Sequence, residues 1–438
     1  MPETKEWLDK EVKLVRYKRK YLHFDRKVNP ARIANQISNP EFIIKRAFWP
    51  FIESTINFQR YKKDIKNGSR KIENKSRKIC YASHFDSEIY SYYNFILSDH
   101  YEKKLLELGL ADNIIAYRSI HKKCNIHFAS EVFDKIKEIG STTVLTFDIE
   151  KFFDTLDHEL LLKNWKFVSG VDHIPENQYA VFKSITKFAS VKKEELEKLF
   201  DFGDMIKKRI GRICSSIEFR EIVRKSRLIN KNTSGVGIPQ GSPISGLLSN
   251  IYMIDFDIQI KNKVEKLNGY YRRYSDDLII LCPPGNSEEI KNYIIDSIKS
   301  ISKLEINPDK TSVVIFTKNA ENRLSALDEN AKPTSLQYLG FEFNGENLFI
   351  RSSSVSRYYR KMARGVKKAK IQSKYSKSNK SKVFKRKLYR LYSHLGKRNF
   401  ISYAYRSSII TKSLTIKKQL SKHWFKLHQK IYGINNEN

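Results

Sequence analysis

Two adjacent carboxylates near the middle of the chain constrain its fold more than any other feature. Asp276 and Asp277 interrupt two apolar, β-prone stretches within residues 269–281, and this pattern predicts a tight hairpin with acid at its tip. Adjacent like charges repel, so such a tip is costly unless a cation sits there. On its own, an Asp-Asp turn is more typical of a solvated hairpin than of a functional site.

A third carboxylate upstream suggests a site. The short apolar strand Val144–Phe147 ends at Asp148. If this buried strand delivers Asp148 to the hairpin that carries Asp276 and Asp277, the three side chains form an oxygen-only ligand set of the kind Mg²⁺ prefers. Two such ions about 4 Å apart can hold the attacking and leaving oxygens of a phosphoryl transfer. Taken alone, Asp148 is better explained as a strand-end cap.

A loop rich in Gly and Pro lies between these acids and leads into a helix. It spans 234–250 and includes Gln240, Gly241 and Pro243. Glycines let a backbone approach a nucleotide closely, Pro243 suits the first turn of the following helix, and the Gln240 amide can bond a sugar or a base edge. The alternative interpretation is an ordinary turn with a helix cap.

These segments resemble, in type and order, the conserved motifs of the reverse transcriptases. Five segments resemble motifs A to E of that family: Phe147–Asp154, Gly237–Pro243, Tyr274–Asp277, Leu304–Thr311 and Leu336–Phe343. The last of these is the primer grip. Upstream, Lys75–Tyr81 resembles the fingers strand whose basic residues hold the incoming triphosphate. The resemblance covers roughly residues 70 to 345.

The resemblance implies an α/β fold of the right-hand polymerase type, with fingers, an antiparallel-sheet palm and a helical thumb. We expect an N-terminal extension at 1–70, fingers and palm at 71–345, and a basic helical thumb at 346–438. Within the fingers and palm we expect motif A at 144–158, a helical insertion at 170–232, motif B at 234–250, motif C at 269–281, motif D at 304–311 and motif E at 336–343.

The resemblance also implies roles for single residues around the reacting groups. The catalytic residues would be Asp148, Asp276 and Asp277, which would also bind two Mg²⁺ ions, with Mn²⁺ as an alternative cofactor. The nucleotide would be bound by Arg77, Phe153, Gln240, Gly241 and Lys310. Phe153 would be the steric gate that rejects a ribose 2′-hydroxyl, and Lys310 would be a proton donor to pyrophosphate. A core aromatic and a solvated lysine stay open as alternative interpretations of these two residues.

Nucleic-acid contacts are expected before motif A, in the primer grip and in the basic thumb. The expected residues are Arg118, Asn125, Tyr338, Gly340, Arg357, Arg360, Lys361 and Arg364. The first two occupy the place where related enzymes contact the template, and the last four would grip the duplex backbone.

The charge of the chain favours a polyanionic partner. Its formal net charge is +34, and residues 351–438 hold 25 Lys and Arg against one acid, Glu437. Such a skew predicts salt-dependent binding to nucleic acid. A membrane is disfavoured as a partner, because no apolar run reaches the ~18 residues of a spanning helix.

The same basic segment has helical periodicity. Two apolar stripes predict two amphipathic helices: Phe384, Leu388, Leu391 and Leu395, and then Leu420, Trp424, Leu427 and Ile431. The Ser- and Lys-rich run 373–381 is expected to be a linker.

The cysteines favour a reducing compartment. They stand at Cys80, Cys124, Cys214 and Cys282, without the paired spacing of a zinc site or a disulfide framework. The N-terminus is charged and lacks the apolar stretch of a signal peptide. We therefore expect a cytoplasmic protein.

Several segments outside motifs A to E indicate a subfamily of the reverse transcriptases. The thumb takes up 346–438, which argues against an RNase H or endonuclease domain, and two elements typical of retron enzymes are not found. Asn125–Ala129, the 170–232 insertion and Asn399–Arg406 instead resemble bacterial defence-associated enzymes of the unknown-group lineage, nearest to the first subunit of type 3 defence systems. This resemblance implies a role against phage, a dedicated non-coding RNA and a second reverse transcriptase subunit as partner.

We therefore expect an RNA-directed DNA polymerase that joins dNTPs on an RNA template by two-metal nucleotidyl transfer and releases a DNA product. Four alternatives stay open: a template-independent DNA polymerase of the same fold, a retron or intron-type reverse transcriptase, an RNA polymerase, and a non-catalytic RNA-binding scaffold. Phe153 argues against the RNA polymerase, and the complete set of three carboxylates argues against the scaffold.

Overall fold

The computed structural model describes residues 2–13, 21–63, 70–375 and 383–433. The strands are β1 Phe51–Lys63, β2 Arg70–Tyr81, β3 Thr142–Asp148, β4 Ala189–Lys192, β5 Asn230–Lys231, β6 Tyr270–Tyr274, β7 Asp277–Cys282, β8 Ser312–Lys318, β9 Leu324–Leu327, β10 Leu336–Tyr338, β11 Phe341–Phe343 and β12 Leu348–Ile350. The helices are α1 Pro2–Lys13, α2 Pro30–Ile37, α3 Pro40–Ile44, α4 His84–Glu107, α5 Asn125–Ile139, α6 His158–Ser169, α7 Glu176–Thr186, α8 Lys193–Leu199, α9 Phe202–Lys207, α10 Ser216–Glu218, α11 Ser245–Tyr252, α12 Ile254–Lys266, α13 Ser287–Ser302, α14 Ser352–Lys374, α15 Lys385–Tyr392, α16 Phe400–Ile410, α17 Leu414–Gln419 and α18 His423–Tyr432.

The palm is a five-stranded antiparallel sheet in the order β6-β7-β3-β8-β9. Its central strands β3 and β7 are buried along almost their whole length because both faces of the sheet are covered. Leu145 and Phe147 face one core, which is formed with α4, α6, α11, α12 and α13, whereas Val144 faces a second core, which includes α5 and the thumb. The predicted antiparallel palm with helices behind it is confirmed.

The fingers sheet shows that the N-terminal boundary predicted at residue 70 is wrong. The order is β2-β1-β4-β5, and β1 pairs with β2 along the whole hairpin, from Ile52 opposite Tyr81 to Lys63 opposite Arg70. The fingers therefore begin at Phe51, and the extension that precedes them contains α1, α2 and α3.

The insertion at 170–232 is mostly helical, as predicted, but it also supplies two strands of the fingers sheet. After α7, the short strand β4 pairs in parallel with β1, and β5 pairs antiparallel with β4. Four and two residues are too few to show the alternation that identifies a strand in a sequence. The purely helical prediction was therefore wrong for these six residues.

The thumb follows a small sheet of β10, β11 and β12 and contains α14 to α18. Of the predicted stripe at Leu420, Trp424, Leu427 and Ile431, Trp424 is half-buried and the other three are buried, and Leu420 lies between α17 and α18. The stripe from 384 to 395 is not buried, because α15 ends at Tyr392 and buries only Leu388, while Phe384, Leu391 and Leu395 are exposed. Of the expected linker at 373–381, residues 376–381 lie outside the described part of the chain.

No helix within the described ranges is long and apolar enough to cross a membrane.

Candidate active site

The register of the palm sheet brings the three predicted carboxylates to one end of the sheet. Asp148 is the last residue of β3 and lies directly opposite Asp277, the first residue of β7. Ser275 and Asp276 form the two-residue turn between β6 and β7, with Ser275 at φ +60°. The Ile149 N–H donates to the Asp276 carbonyl oxygen at 3.1 Å, which fixes the turn against motif A.

The electrostatics of this cluster are those of crowded, partly desolvated acids. Burial, together with the charge of Asp148, raises the pKa of Asp276. Burial and then repulsion from Asp276 and Asp148 raise the pKa of Asp277 to about 7, although the Lys310 ammonium lowers the pKa of both groups. Lys310 forms an ion pair with Asp148 Oδ1. A divalent cation would relieve the same repulsion more effectively.

The donor set fits a hard divalent cation. Among the described residues, no group of three His, Cys, Asp or Glu side chains is arranged to hold a metal ion, and Lys310 instead pairs with Asp148. The oxygens that meet at this end of the sheet are nevertheless carboxylate oxygens, which Mg²⁺ binds together with water and substrate phosphates. The residues therefore fit such an ion once Lys310 has moved off Asp148.

Motif B packs directly on motif A through main-chain hydrogen bonds. The Gly237 N–H donates to the Leu156 carbonyl and the Ile238 N–H to the Phe153 carbonyl, both at 2.8 Å. Gly237 has φ +85°, and a Cβ atom there would lie 2.7 Å from the Asp154 carbonyl oxygen, so the approach requires glycine. Phe153 is half-buried against the motif B loop, with Phe152 beside it. Its position is compatible with the predicted gate, which stays a prediction.

The other side of the motif B loop contacts the fingers strand β2. The Cys80 N–H donates to the Gln240 carbonyl at 2.8 Å, and a Cβ atom on Gly241, at φ +123°, would lie 2.8 Å from the Cys80 carbonyl oxygen. Arg77 is exposed on β2. Its neighbour Lys78, which the sequence analysis did not select, points to the opposite face of the strand.

Lys78 is a basic residue of β2 whose charge acts on Asp154 in motif A. Burial raises the pKa of Asp154, and the charges of Lys78 and Lys151 lower it. Lys78 therefore faces the loop that carries Phe153. The alternation of side chains along a strand predicts that Arg77 and Lys78 lie on opposite faces of β2. The sequence does not indicate which of the two faces is directed towards the site.

Two of the predicted nucleic-acid contacts are corrected by the structure. Arg118 is buried and bidentate to Glu102, with Nε donating to Oε1 at 2.9 Å, and its guanidinium also bonds the Ala111 and Ile114 carbonyls. It therefore holds α4 to the following loop with four of its five N–H donors, and its side chain is too buried to contact a template. Tyr338 is buried in the core between the palm and the thumb, so its ring cannot stack on a base.

Of the other predicted nucleic-acid contacts, Asn125 is engaged within the protein, whereas Gly340 and the cations of α14 are accessible. The Asn125 side chain donates to the Leu339 carbonyl at 3.0 Å and to the Tyr403 hydroxyl at 3.1 Å, so it links α5 to the primer-grip turn and the thumb, and is not free for the template. Gly340, at φ +93°, has open space where a Cβ would be. The four thumb cations are exposed on α14, opposite its buried face: Arg357, Arg360, Lys361 and Arg364. Gly340 and these four cations stay predictions.

The fold and this site define a right-hand polymerase. A family model described as reverse transcriptase (RNA-dependent DNA polymerase) matches residues 66–343, well over half of the chain. The chain belongs to the reverse transcriptase family. Its central domain is that of an RNA-directed DNA polymerase, a nucleotidyltransferase of a class that generally uses divalent metals.

The chain has a weak structural similarity to solved telomerase structures. Apo telomerase from Candida tropicalis, truncated from its C-terminal domain, is 12% identical, with a TM-score of 0.39 over 71% of this chain and 55% of that one. Telomerase from Candida albicans in complex with a TWJ fragment of telomeric RNA is 12% identical, with a TM-score of 0.39 over 97% of this chain and 60% of that one. This chain thus spans less than two thirds of the length of the telomerase chains that it matches. The similarity is too weak to indicate a function.

Proposed function

We propose that this protein is an RNA-directed DNA polymerase that extends a primer with dNTPs on an RNA template. The observation that carries the proposal is the strand register that sets Asp148 opposite Asp277 and beside Asp276. The loop from Gly237 to Gly241, held between motif A and the fingers strand, supports a nucleotide pocket next to these acids.

In this proposal the 3′-oxygen of the primer attacks the α-phosphorus of the nucleotide, and the bond to pyrophosphate breaks. Asp148, Asp276 and Asp277 would hold two Mg²⁺ ions, or Mn²⁺. When bound, the ions would favour deprotonation of the 3′-hydroxyl and neutralise charge on the phosphates. Lys78, on the face of β2 whose charge acts on motif A, would pair with triphosphate oxygens, whereas Arg77 points to the opposite face of the strand.

Two further residues would act on the sugar and the leaving group. Phe153 would exclude a ribose 2′-hydroxyl by steric overlap. Lys310, once it leaves Asp148, would give a proton to the departing pyrophosphate.

The test is extension by protein purified from its native host with its bound nucleic acid retained. Each labelled dNTP is supplied with Mg²⁺, and both the product and any co-purifying RNA are sequenced. Asp276→Asn should abolish product, whereas Asp134→Asn, which changes an exposed acid on α5, should not. Product complementary to the RNA supports templated synthesis. Product unrelated to any RNA favours the template-independent polymerase, and equal product from wild type and Asp276→Asn contradicts the proposal.

We further propose that the enzyme acts in bacterial antiphage defence, with a dedicated non-coding RNA and a second reverse transcriptase subunit. The resemblance of Asn125–Ala129 and Asn399–Arg406 supports this role. The exposed cations on α14 support binding of RNA, and four free cysteines support a cytoplasmic location. Plating of phage on cells that express wild type or Asp276→Asn tests the role. Defence that is equal in the two strains contradicts it, and defence lost with RNA binding retained excludes a scaffold.

A further inference from the structure

Tyr117 exposes an aromatic ring beside the catalytic turn from a strained backbone position. The residue is 55% exposed, and its φ is +60°, in the left-handed region that bulky side chains rarely adopt. Such a conformation persists only where the surroundings impose it, and outliers of this kind cluster at functional sites.

The surroundings of Tyr117 impose its conformation from both sides. The Ile115 N–H donates to the Arg273 carbonyl at 3.1 Å, and the buried Asn250 amide donates to the Ala116 carbonyl at 2.8 Å. On the other side, Arg118 is fixed by Glu102. Tyr117 is therefore held between the motif C hairpin, the motif B helix α11 and the helix α4, and its backbone cannot relax without breaking these bonds.

The ring itself is positioned by motif B and motif C. It lies over Gly246 in the first turn of α11, where a Cβ atom would come within 2.8 Å of the ring atoms Cγ and Cδ1. The Tyr117 hydroxyl lies 3.2 Å from Ser275 Oγ, and Ser275 forms the turn between β6 and β7 together with Asp276. One hydrogen bond thus joins an exposed aromatic ring to the turn that carries Asp276.

We propose that the exposed surface of the Tyr117 ring stacks on a nucleobase of the bound substrate, next to the catalytic turn. This inference rests on the proposed polymerase function. Stacking tolerates any sequence because every base has a π face, which suits an enzyme that must accept each base in turn. Core packing does not explain the ring, since more than half of the residue is left to solvent. The base could belong to the template overhang, the primer end or the incoming nucleotide.

Binding measurements separate these three sources. Labelled RNA–DNA primer–template is titrated by fluorescence anisotropy in EDTA, once with a template overhang and once blunt. Tyr117→Ala should weaken binding roughly 5- to 150-fold, whereas Tyr117→Phe, which keeps the ring, should stay within about 2-fold of wild type. A loss with the overhang substrate alone assigns the base to the template, and a loss with both substrates assigns it to the primer. Unchanged binding with a KM for dNTP raised by a similar factor assigns it to the nucleotide.

An unchanged Kd and KM in Tyr117→Ala overturn the proposal. The binding readout needs no turnover, so a failure of the proposed chemistry in the extension assay would be distinguishable from a failure here. Tyr179→Ala, which removes a 46% exposed ring from α7, is the matched control and should change neither quantity.

Two more variants separate a binding ring from a structural one. Gly246→Ala should displace the ring and weaken binding as Tyr117→Ala does, and the double variant should be no weaker than either single one. Tyr117→Gly removes the backbone strain, so its melting temperature should not fall although its affinity does. A lower melting temperature with wild-type affinity would show that the ring is only structural and would overturn the proposal.

Discussion

Lys310 forms an ion pair with Asp148 at the end of the palm sheet, and so joins motif D to motif A. The backbone of the same segment reinforces the contact, because the Asn307 N–H donates to the Asp148 carbonyl at 2.8 Å. The ammonium offsets part of the repulsion among the three carboxylates, but it occupies an oxygen that a metal ion would need. Lys310 thus competes with the cation for Asp148.

Replacement of Lys310 by Met should therefore lower the Mg²⁺ concentration that the enzyme needs and, separately, lower kcat. Without the competing ammonium, half-maximal activity should be reached at a lower Mg²⁺ concentration. Without the proton donor, kcat should fall by about 10²- to 10⁴-fold. Mg²⁺ titrations of steady-state extension measure both effects, with Lys310→Arg as the control that keeps the charge. A higher Mg²⁺ requirement in Lys310→Met would show that the lysine does not compete.

Asp277 should make the metal-free protein less stable at neutral pH than in acid. Its pKa is raised to about 7 in the folded protein, mainly by burial, and is about 3.9 in an unfolded chain. Between these values the folded state keeps a proton that the unfolded state has released. The free energy of unfolding therefore falls as the pH rises from about 4 to about 7.

Asp277→Asn should remove this penalty and abolish extension. In EDTA at pH 8 we expect the variant to melt at least about 2 °C above wild type, and the difference should disappear near pH 4. Thermal melts across this pH range measure the effect. A variant that melts below wild type at pH 8 would contradict the raised pKa of Asp277.

Gly241 and Gly235 offer a matched test of the motif B loop. Both have positive φ, but a Cβ atom on Gly241 would meet the Cys80 carbonyl, whereas one on Gly235 would meet nothing within 4 Å. Each Ala variant should lose about 1 kcal/mol of stability from backbone strain. Only Gly241→Ala should also break the contact between Gln240 and Cys80 and raise the KM for dNTP about tenfold. Equal KM values for dNTP in the two variants would show that the contact between Gln240 and Cys80 does not contribute to nucleotide binding.

The position of the three acids at one end of the palm sheet could be predicted because their signals are local. Two apolar strands each meet an acid at one end, Asp148 at the end of β3 and Asp277 at the start of β7, and a strand reveals itself by a run of β-prone residues. Gly235, Gly237 and Gly241 of motif B are local signals too, since their positive φ values favour that residue.

The features of the fold and site that could not be predicted depend on contacts between residues that are distant in the sequence. Arg118 is neutralised by Glu102 on another element, and Tyr338 is covered by the thumb, so neither burial shows in the local pattern. Strand β4 exists because β1 offers it an edge, although the two are more than a hundred residues apart. The position of the Tyr117 ring depends on Arg273, Asn250 and Glu102, which lie on three other elements, so the local sequence does not show it.

Phe153→Ala should relax the choice of sugar. The Phe153 carbonyl is fixed by the Ile238 N–H, so loss of the ring should leave the loop in place and open space for a 2′-hydroxyl. We expect kcat/KM for ribonucleotides, relative to deoxynucleotides, to rise about 10- to 200-fold. Phe152→Ala is the control: it removes a buried ring and should cost about 3–5 kcal/mol of stability without a change in this ratio. An unchanged ratio in Phe153→Ala would assign the gate elsewhere.

Arg273 and Asp257 form an ion pair with both side chains 0% exposed, and the pair supports the turn at Ser275 and Asp276. Arg273 Nη2 lies 2.6 Å from Asp257 Oδ2, and Nη1 donates to the Ser275 carbonyl at 3.1 Å. Arg273→Met leaves Asp257 buried without its partner and should cost about 3–5 kcal/mol in urea unfolding. Arg273→Met/Asp257→Leu should recover only part of that stability, because the buried Tyr271 hydroxyl loses its acceptor on Asp257. It should remain impaired in extension, because the bond to Ser275 is still missing. Full activity in the double variant would show that this bond does not position the turn.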